Sequence, residues 1–424
     1  MEDEMKKIAV IGSGISGLTT AHLLSGQHEV SLFEANDYLG GHTATVDVTV
    51  DGKDYAIDTG FIVFNDRTYP NFQKLLSRLS VTSIPTEMSF SVHNLDSGLE
   101  YNGHTLATLF AQKRNLFSPK FWGFLNEIIR FNKLGKACIE SGHYPCNTLG
   151  ELLAKEQFSD FFARHYILPM GAAIWSSSLD DMAAFELKFF LRFFHNHGLL
   201  NVSDRPQWYV LKGGSRSYIP ALVAPFAERI HLSTPVSAVK RHGQGVSIQT
   251  NGQDWHEFDE LVLACHSDQA LKLLTDASDA ERDVLGALPY RRNDVVLHTD
   301  TALLPKRKAA WASWNYRLDE DNQRPAAVTY HMNTLQRLPA GSPDFMVTLN
   351  QTDAIAKDKI LRQFSYAHPV FSSAAMAAQA RRMEICGQQH THFAGAYWYN
   401  GFHEDGVRSA LDVCQRFGVS LESA

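Results

Sequence analysis

Short apolar runs separated by glycines open the chain. Residues 6–11 are rich in β-branched side chains and predict a strand, and the glycine-rich residues 12–17 lead into an apolar helical stretch at 18–24. Residues 28–34 predict a second strand, which ends on the acid Glu34. The order strand, glycine turn, helix, strand is typical of a dinucleotide-binding α/β fold.

The remaining periodicity divides the chain into helical and extended regions. Alternation on either side of Asp51-Gly52 predicts a hairpin of residues 46–50 and 55–57. Helical periodicity predominates over residues 69–200 and again over 353–383. Further strands are predicted at 236–240, 246–250, 261–264, 295–298, 327–331, 345–350 and 391–394, and a closing helix at 406–417.

Strand, glycine and helix signals recur near residues 210–265 and at the C-terminus. We therefore predict two interleaved domains, each entered more than once by the chain. A dinucleotide-binding α/β domain would comprise residues 1–80, 206–288 and 380–424, and an α+β substrate domain would comprise residues 81–205 and 289–379.

Composition excludes several classes of protein. With 424 residues, 44% hydrophobic and 20% charged, the chain can bury a large core, which argues against disordered and collagen-like classes. The 39 basic and 46 acidic residues give a net charge of −7, so no nucleic-acid partner is expected. No apolar segment is long enough to predict a membrane span.

Cysteine and histidine spacing predicts neither a disulfide framework nor a metal site. The five cysteines are an odd number without a CxxC pair, which favours a reducing compartment, the cytoplasm. The acidic residues 2–4 are unlike the start of a signal peptide. Two His-x-His pairs, 195–197 and 390–392, lack accompanying cysteines or acids, so we predict no bound metal.

The most specific motif is Gly12-x-Gly14-x-x-Gly17. Its glycines permit a tight turn, close approach of the backbone to a pyrophosphate, and close packing of the helix on the sheet. Glu34 stands 20 residues after Gly14, where an acid can accept hydrogen bonds from an adenosine ribose. The motif predicts a bound dinucleotide.

A second glycine pair indicates which dinucleotide. Gly40-Gly41 and then His42 follow Glu34 closely, which suggests a second backbone approach to the same ligand. This spacing resembles the extended fingerprint of the flavin amine oxidase superfamily, which also contains phytoene desaturases and protoporphyrinogen oxidase. The resemblance implies FAD and a FAD-binding, Rossmann-like domain of the glutathione-reductase type.

Three further stretches carry the resemblance. They are Asp58-Thr59-Gly60, the Gly213-Gly214 turn, and the C-terminal residues 393–395 with 401–407. The last segment implies a helix N-terminus against the pyrimidine edge of the flavin, where it would stabilise negative charge. The resemblance assigns cofactor contacts to Gly12, Ser13, Gly14, Ile15, Ser16, Gly17, Glu34, Gly40, Gly41, His42, Thr59, Gly60, Phe61, Val236, Gly395, Glu404, Asp405, Gly406 and Val407.

The chain also departs from the superfamily pattern. His42 stands where an arginine is usual, and the strand predicted around 290–298 has no lysine of the kind that amine oxidases hold near flavin N5. No cysteine occurs at 396–400, so FAD is expected to be non-covalent. The candidates for catalysis or for lining the site are His298, Trp398, Tyr399, His403 and Tyr330.

A closer resemblance concerns the substrate. Residues 169–176, 193–200 and 206–209 resemble a bacterial subgroup of predicted NAD/FAD-binding proteins, related to the flavoprotein domain of plant cyclopropane fatty-acid synthases. This implies an apolar lipid or fatty-acyl substrate, and we expect an oxidase, desaturase or isomerase that takes a hydride from it to flavin N5. Peripheral membrane contact is left open. The alternatives are an amine or other small-molecule oxidase, and a flavin-binding accessory protein of a lipid-modifying methyltransferase.

Overall fold

The computed structural model describes residues 5–422. Its strands are β1 (Lys7–Ile11), β2 (Glu29–Phe33), β3 (Thr45–Val50), β4 (Lys53–Asp58), β5 (Val63–Asn65), β6 (Ser83–Thr86), β7 (Phe90–Asn94), β8 (Glu100–Asn102), β9 (Trp208–Leu211), β10 (Ile230–His231), β11 (Val236–His242), β12 (Gly245–Thr250), β13 (Asp254–Phe258), β14 (Glu260–Leu263), β15 (Tyr290–His298), β16 (Trp314–Leu318), β17 (Val328–His331), β18 (Met346–Leu349), β19 (Ile360–Pro369) and β20 (Thr391–Phe393).

The α-helices are α1 (Ile15–Leu24), α2 (Pro70–Arg78), α3 (Leu106–Leu109), α4 (Pro119–Ser141), α5 (Leu149–Lys155), α6 (Asp160–Phe162), α7 (Leu168–Trp175), α8 (Leu179–Ala183), α9 (Leu187–Asn196), α10 (Ile219–Val223), α11 (Ser267–Leu273), α12 (Asp279–Gly286), α13 (Met332–Leu335), α14 (Ser373–Ala380), α15 (Arg382–Ile385) and α16 (His403–Gln415). No helix in the described range is long and apolar enough to cross a membrane.

A five-stranded sheet of order β10-β2-β1-β14-β20 lies at the centre of the first structural unit. All its strand pairs are parallel, and Ile8 and Val10 of β1 are completely buried. Helix α1 follows β1 directly and packs against α16. Because ligands of open parallel sheets bind beyond the carboxyl ends of the strands, the first glycine turn lies at the expected edge.

Three smaller antiparallel sheets accompany it. Strands β11, β12 and β13 form a meander, β3 and β4 a hairpin, and β9 lies between β5 and β6. The predicted hairpin is confirmed: Asp51 and Gly52 have φ of 51° and 73°, the left-handed conformation that a tight two-residue turn requires.

A seven-stranded sheet and a helical layer form the second structural unit. The sheet has the order β19-β15-β18-β17-β16-β7-β8, so it joins residues 90–102 to residues 290–369. The helices between Pro119 and Asn196 pack into an aromatic-rich apolar cluster that includes Trp175, Phe190 and Phe194. The aromatic side chains between Phe185 and Phe194 therefore contribute to a core.

Two predictions of helix were wrong. Within the region expected to be helical, β6, β7 and β8 are strands. Strand β6 pairs with β9 and β7 pairs with β16, both far away in sequence, and β8 pairs with β7. Likewise Ile360–Pro369 is a ten-residue strand paired along its length with β15. As an edge strand exposed on one side it mixes polar and apolar residues, which hides the period of two. Helix α16 also begins earlier than predicted, at His403.

Candidate functional site

The three glycines of the first turn have different roles. Gly12 has a φ of +102°, and a Cβ there would lie 2.9 Å from the carbonyl oxygen of Ala264. A Cβ on Gly17 would lie 1.9 Å from the carbonyl oxygen of Gly12, so the fold itself requires both glycines. A Cβ on Gly14 would meet nothing within 4 Å, which leaves open space above the start of α1.

Glu34 is bonded to the same turn. One carboxylate oxygen accepts hydrogen bonds from the amide (3.0 Å) and hydroxyl (2.6 Å) of Ser13. The other accepts from the amide and side-chain nitrogen of Asn36, at 2.8 Å and 2.9 Å. The carbonyl of Glu34 accepts from the amide of Thr234, two residues before Val236 and the start of β11. Glu34 and Val236 thus lie beside one another at the sheet edge.

The second glycine turn meets the first. Gly40 and Gly41 have φ of 114° and 56°, and the Gly40 amide donates to the carbonyl of Ser13 at 3.0 Å. A Cβ on Gly41 would lie 3.3 Å from the Cα of Gly14. Two stretches of backbone without side chains therefore face the same space.

The segment from Thr59 to Phe61 is fixed to the residues after the second turn. The amide of Phe61 donates to the carbonyl of His42 at 2.7 Å, and the amide of Thr59 donates to the carbonyl of Ala44 at 2.9 Å. A Cβ on Gly60 would lie 2.2 Å from the His42 carbonyl oxygen. The predicted cofactor residues 40–42 and 59–61 are thus brought together.

Asp58 connects this segment to the Gly213-Gly214 turn. Its Oδ1 accepts hydrogen bonds from the Thr45 hydroxyl at 2.6 Å and from the Ser215 amide at 2.8 Å. Burial raises the pKa of Asp58 to about 6, against these hydrogen bonds and the charge of Arg216, which lower it. Asp58 acts as a positioning residue.

The N-terminus of α16 lies against that of α1. A Cβ on Gly406 would lie 2.5 Å from Cγ2 of Ile15, and Val407 is completely buried. Gly395, at the end of the preceding strand, donates its amide to the Ser409 hydroxyl at 2.8 Å. The free amides at the start of a helix favour a negatively charged group, and here two helix starts are close together.

The carboxylates of Glu404 and Asp405 are engaged within the protein. Glu404 accepts from the side-chain amide of Asn71 at 2.6 Å and from the Phe72 amide at 2.9 Å, so it holds the start of α2. Asp405 accepts from the Phe402 amide at 2.9 Å, and burial raises its pKa to about 7. A cofactor contact at these two positions therefore depends on their backbone.

His403 is enclosed by protein groups. Its ring stacks on Phe61 with 3.6 Å between centroids, and its Nε2 lies 2.9 Å from the Tyr218 hydroxyl and 3.2 Å from that of Thr43. Burial, with a contribution from His42, lowers its pKa to about 3. His403 is therefore neutral and positions residues 42 and 43.

His298, predicted to face the place of the amine oxidase lysine, is buried and bonded within the protein, and its role stays a prediction. His298 Nε2 lies 2.7 Å from the Thr348 hydroxyl, and its Nδ1 accepts from the Asp300 amide at 3.0 Å. The end of β15 near the glycine turns is Tyr290, whose ring stacks on His266. Eight residues of strand, about 26 Å, separate Tyr290 from His298.

The side chains of Trp398 and Tyr399 contact Arg382 and Asp412, and their predicted place in the site stays a prediction. The guanidinium of Arg382 lies 5.3 Å from the Trp398 ring, and the Tyr399 hydroxyl donates to Asp412 at 2.5 Å. Phe402 reaches the substrate unit, where its ring stacks on Phe193 at 5.2 Å.

Tyr330 lies within the seven-stranded sheet. Its ring packs edge-on against Trp314 at 5.1 Å, and burial raises its pKa. Trp314 and Tyr330 contact both apolar clusters of the substrate unit. A role for Tyr330 in catalysis stays a prediction.

A group of three histidines beside the glycine turns was not predicted as a set. The ring centroid of His42 lies 5.5 Å from that of His368 and 6.1 Å from that of His266. Burial lowers the pKa of His42 to about 3 and of His368 to about 4, and the neighbouring histidine rings add to the effect. His368 lies on β19, so the wrong helix prediction concealed it.

A small polar group holds the His368 ring. Its Nδ1 lies 3.0 Å from the Ser176 hydroxyl and 3.2 Å from Nδ2 of Asn293. Because the amide nitrogen of Asn293 can only donate, Nδ1 accepts and a neutral His368 carries its proton on Nε2. Within residues 5–422, no three His, Cys, Asp or Glu side chains are arranged to hold a metal ion.

The residues present fit a dinucleotide. Open space lies above Gly14, the backbone of Gly41 adjoins Gly14, and Glu34 is bonded to the same turn through Ser13. The Nε2 atom of His42 is buried and has no hydrogen-bond partner in the described part of the chain. Two glycine turns, a helix start and an orphaned polar atom therefore converge on one place.

Comparison with known proteins identifies the wider family. The model of the flavin containing amine oxidoreductases matches residues 15–325. No curated protein matches the sequence significantly.

Solved structures share the fold at low sequence identity. Cyclohexylamine oxidase from Brevibacterium oxydans IH-35A has a TM-score of 0.69 and 14% identity, over 98% of this chain and 100% of that one. The CLA-producing fatty acid isomerase from P. acnes has a TM-score of 0.67 and 17% identity, over 98% and 99%. A putative protoporphyrinogen oxidase from Exiguobacterium sp. 255-15 has a TM-score of 0.67 and 16% identity, over 97% and 98%.

Proposed function

The chain belongs to the family of flavin containing amine oxidoreductases, and we propose that within it the protein oxidises an apolar lipid or fatty-acyl substrate. As a member it is an FAD-dependent oxidoreductase. We infer the substrate class and the non-covalent attachment of the flavin from residues of this chain.

The cofactor would be held without a covalent bond. Glu34 would accept hydrogen bonds from the ribose, the glycine turns at Gly14 and Gly41 would admit the pyrophosphate, and the start of α16 would face the flavin. Residues 396–400 contain no cysteine to form a covalent link. When bound, the flavin supplies the capacity to accept a hydride from a substrate C–H bond.

The contact between Phe402 and Phe193 is the observation that carries the substrate proposal. Phe402 immediately precedes α16 and is packed in the aromatic cluster of the helical layer. The rings of Phe189 and Phe371 stack at 5.7 Å in the same cluster. In this proposal the cluster would exclude water beside the flavin edge and pack against hydrocarbon, because burial of each CH₂ contributes about 0.8 kcal/mol.

The polar groups around β15 and His368 support an uncharged reacting centre. The strand Tyr290–His298 has no lysine, and the nearby acid Asp181 is paired with Arg291 at 2.8 Å. His368, with a pKa of about 4, is neutral at neutral pH and presents an N–H to its surroundings. These residues orient a neutral group and offer no free carboxylate to an ammonium ion.

The fold alone does not choose between substrates, because it is shared by an amine oxidase and a fatty acid isomerase. Anaerobic titration of the flavin spectrum makes the choice. We expect saturable shifts or bleaching with a fatty-acyl series and weak responses to benzylamine and spermine. Rapid reduction by an amine, with no response to any lipid, would establish the alternative of an amine oxidase.

A second candidate is a flavin-binding accessory protein of a lipid-modifying methyltransferase. It is favoured by the resemblance carried by residues 169–176, 193–200 and 206–209, and Ser176 of that motif contacts His368. Copurification with a methyltransferase, together with no flavin reduction by any substrate, would support it. In either case we place the protein in the cytoplasm.

We also assign the two interleaved domains in this proposal. Residues 1–80, 206–288 and 380–424 would form a FAD domain of the glutathione-reductase type, which the parallel sheet with its antiparallel meander supports. Residues 81–205 and 289–379 would form the substrate domain. Limited proteolysis with and without FAD would test these boundaries, since a bound dinucleotide should protect the first set of segments.

A further inference from the structure

The turn between α15 and β20 brings a cysteine and a histidine together, away from the glycine turns. Cys386 follows α15 directly, and His392 is the central residue of β20. The amide of Gly387 donates to the Thr391 carbonyl at 2.8 Å, which closes the turn. The amide of Phe393 donates to the Cys386 sulfur at 3.5 Å.

A carboxylate orients the histidine. His392 Nε2 lies 3.2 Å from Oε2 of Glu260, whose other oxygen accepts from the Lys6 ammonium at 2.8 Å. Because a carboxylate only accepts, His392 Nε2 carries a proton. The opposite nitrogen, Nδ1, is buried and has no hydrogen-bond partner within residues 5–422. The arrangement of thiol, imidazole and orienting acid is that of an activated nucleophile.

The surroundings of Cys386 stabilise its thiolate. Burial would raise its pKa, but His392, Arg382 and the Phe393 amide together lower it below the ordinary value. Burial would likewise lower the pKa of His392, and Cys386 with Glu260 raises it instead. In contrast, burial raises the pKa of Cys265 and Cys414 to about 12.

A surface pocket borders Cys386. Its volume is about 490 Å³, and its lining includes Cys386, Arg382, Met383, Asp412 and Arg416. Arg382 is paired with Asp412 at 2.6 Å, whereas Arg416 lies over the turn, with Nη1 2.4 Å from where a Cβ on Gly387 would be. A small solvent-borne oxidant can therefore approach a thiolate beside positive charge.

We propose that Cys386 is a peroxide-sensitive thiol, with His392 as its proton donor and Glu260 as the residue that orients His392. In the reaction with hydrogen peroxide, the thiolate sulfur forms a bond to one oxygen and the O–O bond breaks. The leaving hydroxide takes a proton from the imidazolium. The products are a sulfenic acid at Cys386, water and neutral His392, and the sulfur is oxidised as the peroxide is reduced.

The test measures sulfenic acid formation in the full-length protein as purified. Limiting hydrogen peroxide is added at neutral pH with dimedone as the trap, and each cysteine-containing peptide is quantified by mass spectrometry. We expect Cys386 to be labelled at least about tenfold faster than Cys265 and Cys414, whose pKa is raised, because reactivity follows thiolate character. Labelling of Cys386 no faster than that of Cys414 would overturn the proposal.

Two variants separate the role of His392 from a general disturbance. His392→Asn should slow labelling of Cys386 by about tenfold or more, since it removes both the stabilising charge and the proton donor. His390→Asn is the matched control, because His390 lies 3.6 Å from the same Glu260 and its side chain is more exposed than that of His392. Equal labelling in His392→Asn and wild type, with unchanged melting temperature, would contradict the proposed role.

Discussion

The carboxylate of Glu34 accepts a hydrogen bond from the hydroxyl of Ser13 at 2.6 Å, so the end of β2 is bonded directly to the first glycine turn. This places a negative charge at the edge of the open space above Gly14. The contact joins the two sequence features from which the dinucleotide was inferred.

Replacement of Glu34 tests its role toward the ribose. Glu34→Ala should weaken FAD binding at least roughly tenfold, because a hydrogen bond to a charged group contributes about 1.5–3 kcal/mol. Asp37→Ala, an exposed acid nearby, is the control and should bind FAD as wild type does. Flavin fluorescence on titration of the apoprotein measures both, and equal affinities in the two variants would show that Glu34 does not hold the cofactor.

The glycines of the first turn should separate folding from binding. Gly14→Ala should leave the melting temperature of the apoprotein unchanged, since Gly14 has φ −65° and a Cβ there meets nothing within 4 Å. FAD affinity should fall about tenfold or more, because the new methyl group would occupy the approach of the pyrophosphate. Gly17→Ala should instead unfold or strongly destabilise the apoprotein, since its Cβ would overlap the Gly12 carbonyl. A Gly14→Ala protein with full FAD affinity would contradict this division.

Asp58 should make stability depend on pH in a defined direction. Its folded pKa of about 6 exceeds the ordinary 3.8, so the folded state binds the proton more tightly than the unfolded chain does. The resulting stabilisation is fully present below the ordinary pKa and is lost as pH rises through about 6. Relative to Asp58→Asn, the apoprotein should therefore gain stability, on the order of 1–3 kcal/mol, between about pH 7 and about pH 4. Parallel denaturation curves across that range would refute the assignment.

Phe402 should contribute to substrate binding while Tyr399 should not. Phe402→Ala should weaken fatty-acyl binding by about 1–3 kcal/mol, because the aromatic contact with Phe193 would be lost. Tyr399→Phe removes only the hydroxyl that bonds Asp412 and should leave acyl binding unchanged. Spectral titration with acyl chains of increasing length provides the measurement. A loss in Tyr399→Phe but not in Phe402→Ala would contradict this assignment and support the place that the sequence predicts for Tyr399.

Local signals predicted the parts of the fold that are local in origin. The turn Gly12–Gly17 and the hairpin at Asp51-Gly52 follow from backbone conformations that glycine and a few polar residues adopt. Strand β19 was missed because its pairing with β15 is settled by residues about 70 positions away along the chain, as Tyr366 opposite Asn293 illustrates.

The same distinction applies to the site. Glu34, Gly40 and Gly41 were predicted and do converge, because fixed spacing within one α/β unit determines their positions. The role of His298 stays a prediction, because a strand pattern does not say which of the nine residues of β15 lies nearest the glycine turns. His266 and His368 come from separate strands and helices, so their meeting with His42 is a tertiary property that no single segment carries.

The most direct measurement of the central claim is the identity of the dinucleotide in the purified protein. We predict a yellow protein that releases FAD, identified by mass spectrometry, on acid or heat treatment, with no flavin left attached to the polypeptide. Apoprotein should regain the flavin spectrum on addition of FAD, and NADH should not compete. A colourless protein that binds NADH tightly and ignores added FAD would contradict the account.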